Sequence, residues 1–246
     1  MKICRILSDG RIYQGHVSGD EVVVEEVGGG SQKIPLANAT VLAPVVPSKI
    51  VCVGRNYADH AAELGNEVPK APLLFLKAPS AIISSGDQIK LTTLSNQVEH
   101  EAELAVVISK KCSGLGEQMN PLDYVLGYAP LNDVTARDLQ KIDGQFARAK
   151  SFDTFCPIGS FIETDFDPSD VAVECRVNGE LKQAGRTSQM VFDVPFLIRY
   201  ISNMMTLLPG DIIATGTPSG VSRMQAGDVC EVSIEGLTPL VNTVTQ

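Results

Sequence analysis

The stretch QVEHEAELAVVISK, residues 97–110, constrains the fold of this chain more than any other. Its alternating pattern predicts an extended strand, in which successive side chains point to opposite faces. Glu99, Glu101 and Glu103 therefore share one face, and the apolar AVVI run after them predicts burial. Carboxylates spaced ~7 Å apart repel in a partly buried setting, so either the strand carries a cation site or its glutamate face is solvated. On the pattern alone, a solvated face is the commoner arrangement.

The composition is that of a globular protein with many tight turns. The 246 residues include 21 glycines and 14 prolines, enough chain for one large domain with a small appendage. The formal net charge is -9 and no run of Lys or Arg forms a basic stripe, which argues against a nucleic-acid partner. An anionic substrate would therefore need local positive charge from a metal or from a few basic residues, with Arg55, Lys77 and Lys150 as candidates.

The cysteines and the N-terminal stretch predict a cytoplasmic protein. The six cysteines are scattered without a Cys-x-x-Cys pair or zinc-ligand spacing, which predicts apolar core residues in a reducing compartment. Asp9 and Arg11 occur before a signal-type apolar segment has formed, and no segment approaches the ~18 apolar residues of a membrane span. We therefore expect no membrane partner.

The order of motifs along the chain predicts two domains. Residues 1–45 contain three short β-rich runs separated by Ser-Asp-Gly and Ser-Gly-Asp turns, KICRIL, RIYQGHV and EVVVEEV, which predicts a small N-terminal β domain. Residues 46–246 follow a proline-marked boundary and contain many strands with few short helices, which predicts a mainly β, α+β domain. Within it, Asn178-Gly179 predicts a type I′ hairpin turn, and Asp193 precedes an amphipathic helix.

A histidine and a glutamate lie close together after the apolar run Ile50–Gly54. In the sequence RNYADHAAE, Asn56 could cap a short helix with Asp59 three residues later. On that helix His60 and Glu63 are i and i+3, so the carboxylate can orient the imidazole. A surface helix pair is the commoner meaning of this spacing, but His60 is the best general-base candidate among the three histidines.

Two further charged residues lie within or at the end of apolar strands. Lys77 interrupts PLLFLKAPSAI and must either reach solvent or meet an anion. Asp133 ends an apolar strand, a position where catalytic residues are often placed, and Thr135 is the expected cap of the helix that follows. Together with the glutamates of residues 97–110, Asp133 would complete a set of oxygen ligands suited to Mg²⁺ or Mn²⁺.

Six stretches taken together resemble the fumarylacetoacetate hydrolase family. They are GRNYADHAAE, FLKAPSA, EHEAELAVVI, NDVTARDLQ, AKSFDTFCPIG and GDIIATGTPSGV, in the family's order and approximate spacing from about residue 45 to the C-terminus. The resemblance implies a mixed β-roll core with short helices, usually in a homodimer. Two departures from the family pattern, Glu99-His100 in place of Asp-Tyr and Ala78 in place of a proline, remove no ligand.

The resemblance also implies the residues of a site. It implies three ligands for one Mg²⁺ or Mn²⁺: Glu101, Glu103 and Asp133. It implies three catalytic residues, of which the first two lie on a short lid helix: His60, Glu63 and Lys150. It implies five substrate contacts: Arg55, Lys77, Ser80, Gln140 and Thr217. Glu99 remains as an extra acid, and His100 is expected to be a packed core residue.

The implied substrate is a small anionic 2-oxo acid that chelates the metal and reacts through an enolate. The leading expectation is C–C hydrolysis of an acylpyruvate such as fumarylpyruvate, with His60 activating water, or decarboxylation of oxaloacetate. One alternative is isomerisation of a 2-hydroxymuconate-type dienedioate in aromatic catabolism. Another alternative, from a different class, is a metal-binding β protein without catalytic activity.

Overall fold

The computed structural model describes residues 1–25 and 29–246. Within this range the chain forms twenty strands and four short α-helices, which confirms the mainly β, α+β prediction. The strands are β1 (Lys2–Ser8), β2 (Arg11–Ser18), β3 (Glu21–Glu25), β4 (Ser31–Pro35), β5 (Thr40–Leu42), β6 (Ile50–Gly54), β7 (Leu73–Lys77), β8 (Ile82–Ser84), β9 (Gln88–Lys90), β10 (Val98–Glu99), β11 (Ala102–Ile108), β12 (Val125–Asn132), β13 (Thr135–Ala136), β14 (Cys156–Ile158), β15 (Ile162–Glu163), β16 (Ala172–Val177), β17 (Glu180–Arg186), β18 (Ile212–Ala214), β19 (Val229–Ile234) and β20 (Leu240–Thr245). The helices are α1 (Ala58–Glu63), α2 (Arg137–Asp143), α3 (Ala147–Lys150) and α4 (Val194–Ser202).

The largest sheet runs through the centre of the molecule. Its strand order is β4-β3-β2-β1-β15-β12-β11-β18-β6-β7, with β5, β8 and β14 paired alongside. Strand β11 is central, because it pairs antiparallel with both β12 and β18, and all of its residues are buried. Burial on both faces explains the uninterrupted apolar AVVI run.

The N-terminal strands form the predicted β unit with a small core of its own. Strands β1, β2 and β3 correspond to the three predicted runs, although residues 26 and 27 of the third run lie outside the described residues. Five apolar residues fill this core: Cys4, Ile6, Val22, Val24 and Ile34. Strand β1 also pairs with β15, so the large sheet continues into this unit. The domain boundary at residue 45 stays a prediction.

A second sheet packs against the central strands. It has the order β17-β16-β19-β20-β9, and its strands β16 and β19 contact β11 and β12. Leu104 and Val106 of β11 share one buried apolar cluster with Val173, Cys175 and Val232 of the second sheet. The main core therefore lies between the two sheets, as in sandwich-like folds.

The hairpin turn and the helix after Asp193 that the sequence predicts are both confirmed. Asn178 and Gly179 have φ of +54° and +79° and join β16 to β17. Positive φ at both central residues is what a type I′ turn requires, and Asn and Gly tolerate it best. Asp193 caps α4, because its carboxylate accepts a hydrogen bond from the Phe196 amide at 2.8 Å.

Two helix-cap predictions are wrong. The residues that precede α1 and α2 form no side-chain cap bond. The Asn56 side chain instead donates to the Thr215 carbonyl at 2.7 Å, and the Thr135 hydroxyl donates to the Asp133 carbonyl at 2.8 Å. The Asn56 partner lies far away along the chain, which sequence spacing does not reveal, whereas Thr135 forms a local bond to the backbone two residues earlier.

The cysteines are buried free thiols, as predicted. Among the described helices, none is long and apolar enough to cross a membrane. The cytoplasmic location stays a prediction.

Candidate metal centre and cleft

The glutamate stretch is interrupted where the acids come together. Strand β10 ends at Glu99 and β11 begins at Ala102, and between them the Glu101 amide donates to the Asn132 side-chain oxygen at 2.9 Å. Glu99, Glu101 and Glu103 are only 6%, 4% and 2% exposed. The solvated-face interpretation is therefore wrong: all three carboxylates are buried, and basic side chains compensate two of them, Glu99 and Glu101.

Glu101, Glu103 and Asp133 form a compact acidic cluster. Each offers one carboxylate oxygen, and the three oxygens lie within 4.8 Å of one another. The pairing of Ala102 in β11 with Asn132 in β12 brings Asp133, the next residue along the chain, beside the two glutamates. Three buried carboxylates at this separation repel strongly unless positive charge is close by.

Three cationic side chains lie against two of these acids. Lys150 donates to Glu101 at 2.8 Å and to Asp133 at 2.7 Å, and Lys77 donates to Asp133 at 2.5 Å. The Arg137 guanidinium donates to Glu101. All three basic residues are at most 2% exposed. The ammonium group of Lys150 also lies 5.0 Å from the centre of the Phe75 ring, which adds a cation–π contact.

Glu103 has no cationic partner among the described residues. Its carboxylate accepts a hydrogen bond from the Gly216 amide at 2.8 Å. Burial, with the neighbouring Asp133 and Glu101 carboxylates, raises the pKa of Glu103 well above its ordinary value. Burial acts in the same direction on Glu101, but Lys150 and Arg137 outweigh it and hold the pKa of Glu101 well below its ordinary value. Glu103 is therefore the acid of the cluster at which a bound cation would contribute most, because its ionised form has no cationic partner among the described residues.

This set of donors fits a small, hard divalent cation. Mg²⁺ and Mn²⁺ prefer carboxylate oxygens in nearly octahedral geometry, so three protein oxygens leave positions for water or for the oxygens of a substrate. A dication would also favour the ionised form of Glu103, which has no cationic partner among the described residues. Glu101, Glu103 and Asp133 are therefore the residues that would hold it.

Arg137 is a site residue that the sequence analysis missed. Its Nε donates to Glu99 at 2.7 Å, and a terminal nitrogen donates to the Gln140 side chain at 2.7 Å. One arginine thus links the extra acid Glu99 to the cluster acid Glu101. A signal was present in the sequence, because a buried Glu99 needs a cation and Arg137 follows Asp133 by four residues.

Helix α1 brings His60 and Glu63 to the same place. The His60 Nδ1 lies 3.2 Å from a Glu63 carboxylate oxygen, which confirms the predicted i, i+3 contact. The other Glu63 oxygen accepts a hydrogen bond from the Gly220 amide at 2.9 Å. Glu63 therefore ties the helix to residues 216–220, the loop that also supplies the Gly216 amide to Glu103.

A cleft of ≈ 180 Å³ opens beside the acidic cluster. Its wall contains every predicted site residue except three, Glu63, Lys77 and Ser80. Arg55 has a φ of +57°, a conformation that residues other than glycine rarely adopt and that is often found at functional sites. Arg55 forms no ion pair with any described residue, so its guanidinium is available to an anion in the cleft.

Lys77 and Ser80 lie away from the wall of the cleft. Lys77 is behind Asp133 and also donates to the Val134 carbonyl at 3.1 Å, so it supports the acid rather than facing the cleft. Ser80 is exposed in the 3-10 turn Pro79–Ala81. Direct substrate contact by either residue stays a prediction. His100, by contrast, is buried and hydrogen-bonded on both ring nitrogens, as expected for a packed core residue.

Comparison with known proteins identifies the family. The family model described as "Fumarylacetoacetate (FAA) hydrolase C-terminal" matches residues 49–245. The chain belongs to the fumarylacetoacetate hydrolase family. A mitochondrial oxaloacetate decarboxylase of Dictyostelium discoideum is 48% identical over 200 residues, 77% of this chain and 89% of that protein. The oxaloacetate tautomerase YisK of Bacillus subtilis is 42% identical over 230 residues, 87% of this chain and 76% of that protein.

A solved structure extends the family likeness to the whole chain. The 5-carboxymethyl-2-hydroxymuconate delta-isomerase of Mycobacterium smegmatis has a TM-score of 0.89 and 42% identity, and the match covers 100% of this chain and 98% of that one. Fumarylacetoacetate hydrolase relatives of this chain thus include enzymes named for decarboxylation, tautomerisation and isomerisation. Family membership implies an enzyme, but the family name does not select one of these reactions.

Proposed function

We propose that this chain is a divalent-metal-dependent enzyme that acts on a small 2-oxo acid. The observation that carries the proposal is the buried cluster of Glu101, Glu103 and Asp133 at the wall of a cleft, in which Glu103 has no cationic partner among the described residues. A bound Mg²⁺ or Mn²⁺ would supply Lewis-acid stabilisation of the negative charge that develops on the substrate oxygens. The residues of the chain would bind the substrate and move protons.

The cleft suits a compact dicarboxylate. Arg55 and Lys141 contribute positive charge to its wall, while Gln140 and Thr217 contribute neutral hydrogen-bonding groups. This arrangement provides the local positive charge that a protein of net charge -9 needs in order to bind an anion. The small volume favours a substrate of oxaloacetate or acylpyruvate size over a bulky one.

His60 is the proposed proton-transfer residue. Glu63 holds Nδ1, which leaves Nε2 for a water molecule or the substrate. In hydrolysis of an acylpyruvate, His60 would take a proton from the water that attacks the distal carbonyl. Decarboxylation of oxaloacetate needs no attacking water, and there His60 would deliver a proton to carbon after CO₂ is lost. Lys150 would hold Glu101 and Asp133 in place during either reaction.

Oxaloacetate decarboxylation and acylpyruvate hydrolysis are the first reactions to test. Two relatives that are at least 42% identical are named for oxaloacetate, which supports it as the first substrate. Isomerisation of a 2-hydroxymuconate-type dienedioate is the second candidate, supported by the likeness to the Mycobacterium smegmatis isomerase. A homodimer stays a prediction.

The proposal is tested with EDTA-stripped protein, oxaloacetate and acetylpyruvate, before and after addition of Mg²⁺ or Mn²⁺. We expect metal-dependent loss of at least one substrate, and we expect Glu103→Gln to abolish it together with metal binding measured by calorimetry. Glu174→Gln is the matched control, because Glu174 forms a partly exposed ion pair with Arg176. Metal binding without turnover of either substrate would favour the isomerase instead. Absence of both metal binding and turnover would contradict the metal centre.

A further inference from the structure

Gln183 lies at the point where the acidic stretch, the second sheet and the 216–220 loop meet. It belongs to β17, and none of its side chain is exposed. Its amide oxygen accepts hydrogen bonds from the Ala102 amide at 3.0 Å and pairs with His100 Nδ1 at 2.9 Å. Its amide nitrogen lies 2.7 Å from both the Thr217 hydroxyl and the Pro218 carbonyl. All four hydrogen-bonding positions of the amide are therefore used.

Two backbone groups fix the orientation of this amide. The Ala102 amide can only donate, so the Gln183 atom that it faces must be the oxygen. The Pro218 carbonyl can only accept, so the atom that it faces must be the nitrogen. Because the amide cannot be turned over without breaking both bonds, the second N–H of Gln183 must donate to Thr217.

The direction of that bond determines what Thr217 can offer to a ligand. The Thr217 oxygen already accepts from Gln183, and its own proton has no acceptor in the described part of the chain. Thr217 is 2% exposed and belongs to the wall of the cleft. Its hydroxyl is therefore free to donate to a group bound there.

His100 holds Gln183 from the other side. Since the Gln183 oxygen is an acceptor, His100 Nδ1 must carry the proton that points toward it. The opposite nitrogen, Nε2, lies 2.8 Å from the Ser222 hydroxyl. The residues of this hydrogen-bonded chain, from Ser222 to Thr217, are what we call the Gln183 relay: Ser222, His100, Gln183 and Thr217.

We propose that Gln183 is a positioning residue that fixes Thr217 as a hydrogen-bond donor to an acceptor oxygen of the ligand. This corner of the cleft would therefore bind an oxygen that carries no proton, such as that of a carboxylate or a ketone. A ligand group that can only donate a hydrogen bond there would be disfavoured. The inference rests on the proposed function for the identity of the substrate, but the direction of the relay rests on the backbone partners alone.

The test is a double-mutant cycle on the binding of oxalate, a small anion whose oxygens only accept, to the Mg²⁺-loaded protein by calorimetry. We expect Thr217→Val to raise the Kd of oxalate by about tenfold or more, since a hydrogen bond to a charged group is lost. Gln183→Met removes the donor without adding charge and should raise Kd similarly. Thr217→Ser keeps the hydroxyl and should stay within about threefold of the wild type.

The double variant distinguishes an effect of Gln183 through Thr217 from a general disruption of the site. If Gln183 acts through Thr217, Gln183→Met in the Thr217→Val background should change Kd by less than about twofold. Effects that instead multiply would overturn the proposal, and so would failure of the wild type to bind oxalate. Thermal unfolding of each variant identifies any that fail to fold. If Gln183→Met fails to fold, Gln183→Glu replaces it, because glutamate keeps the acceptor oxygen but cannot donate.

A spectroscopic measurement tests the relay without any ligand. In ¹⁵N-histidine NMR spectra, we expect His100 to be protonated at Nδ1 in the wild type, and the opposite tautomer would contradict the proposed direction. Turnover of oxaloacetate is measured in parallel. Its absence, together with absence of acetylpyruvate turnover, in a protein that binds oxalate through the relay would count against the proposed hydrolysis and decarboxylation and leave the Gln183 inference supported.

Discussion

At the scale of single residues, the stability of the molecule depends on carboxylates that are buried with their partners. Asp211, just before β18, is fully buried and accepts hydrogen bonds from both the amide and the hydroxyl of Ser48, from both the amide and the ammonium group of Lys49, and from the Leu208 amide. These bonds fix the segment that precedes β6 against the start of β18. Burial raises the pKa of Asp211, but the hydrogen bonds from Lys49, Ser48 and Leu208 outweigh it, and the net shift is downward.

We expect Asp211→Asn to lower the free energy of unfolding by about 2–4 kcal/mol, because an amide nitrogen would replace one of two acceptor oxygens that face only donors. Because the folded-state pKa is depressed, this stabilisation is complete above the unfolded pKa of about 3.9 and is lost as the pH falls through the folded-state value. Urea unfolding between pH 7 and pH 3 measures both effects. Asp170→Asn, at an exposed pair with Arg186, is the matched control and should leave stability nearly unchanged.

Lys77 has a comparable role at the acidic cluster. We expect Lys77→Met to destabilise the metal-free protein by about 3–5 kcal/mol, because it leaves one side of the buried Asp133 without its cation. Added Mg²⁺ should recover part of this loss, since a dication compensates the same charge. Chemical unfolding with EDTA and with Mg²⁺ gives the comparison, and Lys182→Met, in a surface pair with Glu180, serves as the control. Equal losses in both conditions would argue against metal binding at Asp133.

At the scale of secondary-structure elements, helix α1 is the part of the site with the fewest ties to the rest of the chain. It has six residues, and Glu63 anchors it to the 216–220 loop through one hydrogen bond to Gly220. A helix this short is not stable by itself and depends on such contacts. Its proposed catalytic role is therefore separable from the candidate metal centre, which belongs to the core strands.

We expect His60→Ala to reduce turnover of acetylpyruvate by about 10²–10⁴-fold, the usual contribution of a general base, while leaving metal affinity nearly unchanged. Steady-state kinetics and calorimetry with Mn²⁺ measure the two quantities. Asp59→Asn, an exposed neighbour on the same helix, is the matched control and should retain activity. Unaltered hydrolysis in the His60→Ala variant would remove His60 from this role.

The structural features that the sequence predicts differ from those it does not predict in how far apart the interacting residues are along the chain. Local sequence patterns predict β11, the Asn178-Gly179 hairpin and the helix that follows Asp193, because these depend on neighbours in the chain. The break at residues 100–101 depends on the Asn132 side chain, and the Asn56 side chain donates to the backbone carbonyl of the distant residue Thr215. Arg137 and Gln183 were missed for the same reason: their partners are set by the pairing of distant strands.

At the scale of the whole molecule, the two sheets share a core that the candidate metal centre adjoins. Metal binding should therefore stabilise the entire fold. We expect saturation with Mg²⁺ or Mn²⁺ at about 100 times Kd to add about 2.7 kcal/mol to the free energy of unfolding, and EDTA to reverse it. Differential scanning calorimetry measures the shift in Tm. Glu103→Gln should remove the response, whereas Glu174→Gln should keep it, and a metal-independent Tm in the wild type would contradict the proposal.

The burial of the acids beside lysines limits which substitutions can accumulate during the evolution of this protein. A mutation that removes Asp133 would leave Lys77 buried without a counter-charge and Lys150 with only Glu101, so it would lose folded protein as well as chemistry. Natural selection for a stable fold therefore preserves these acids even in a descendant that has stopped turning over its substrate. Arg55 and Gln140 line the cleft outside the acidic cluster, so their substitution is expected to cost less stability than substitution of the acids. Divergence to new substrates is accordingly expected at such positions, and loss of the acids only after the lysines have changed.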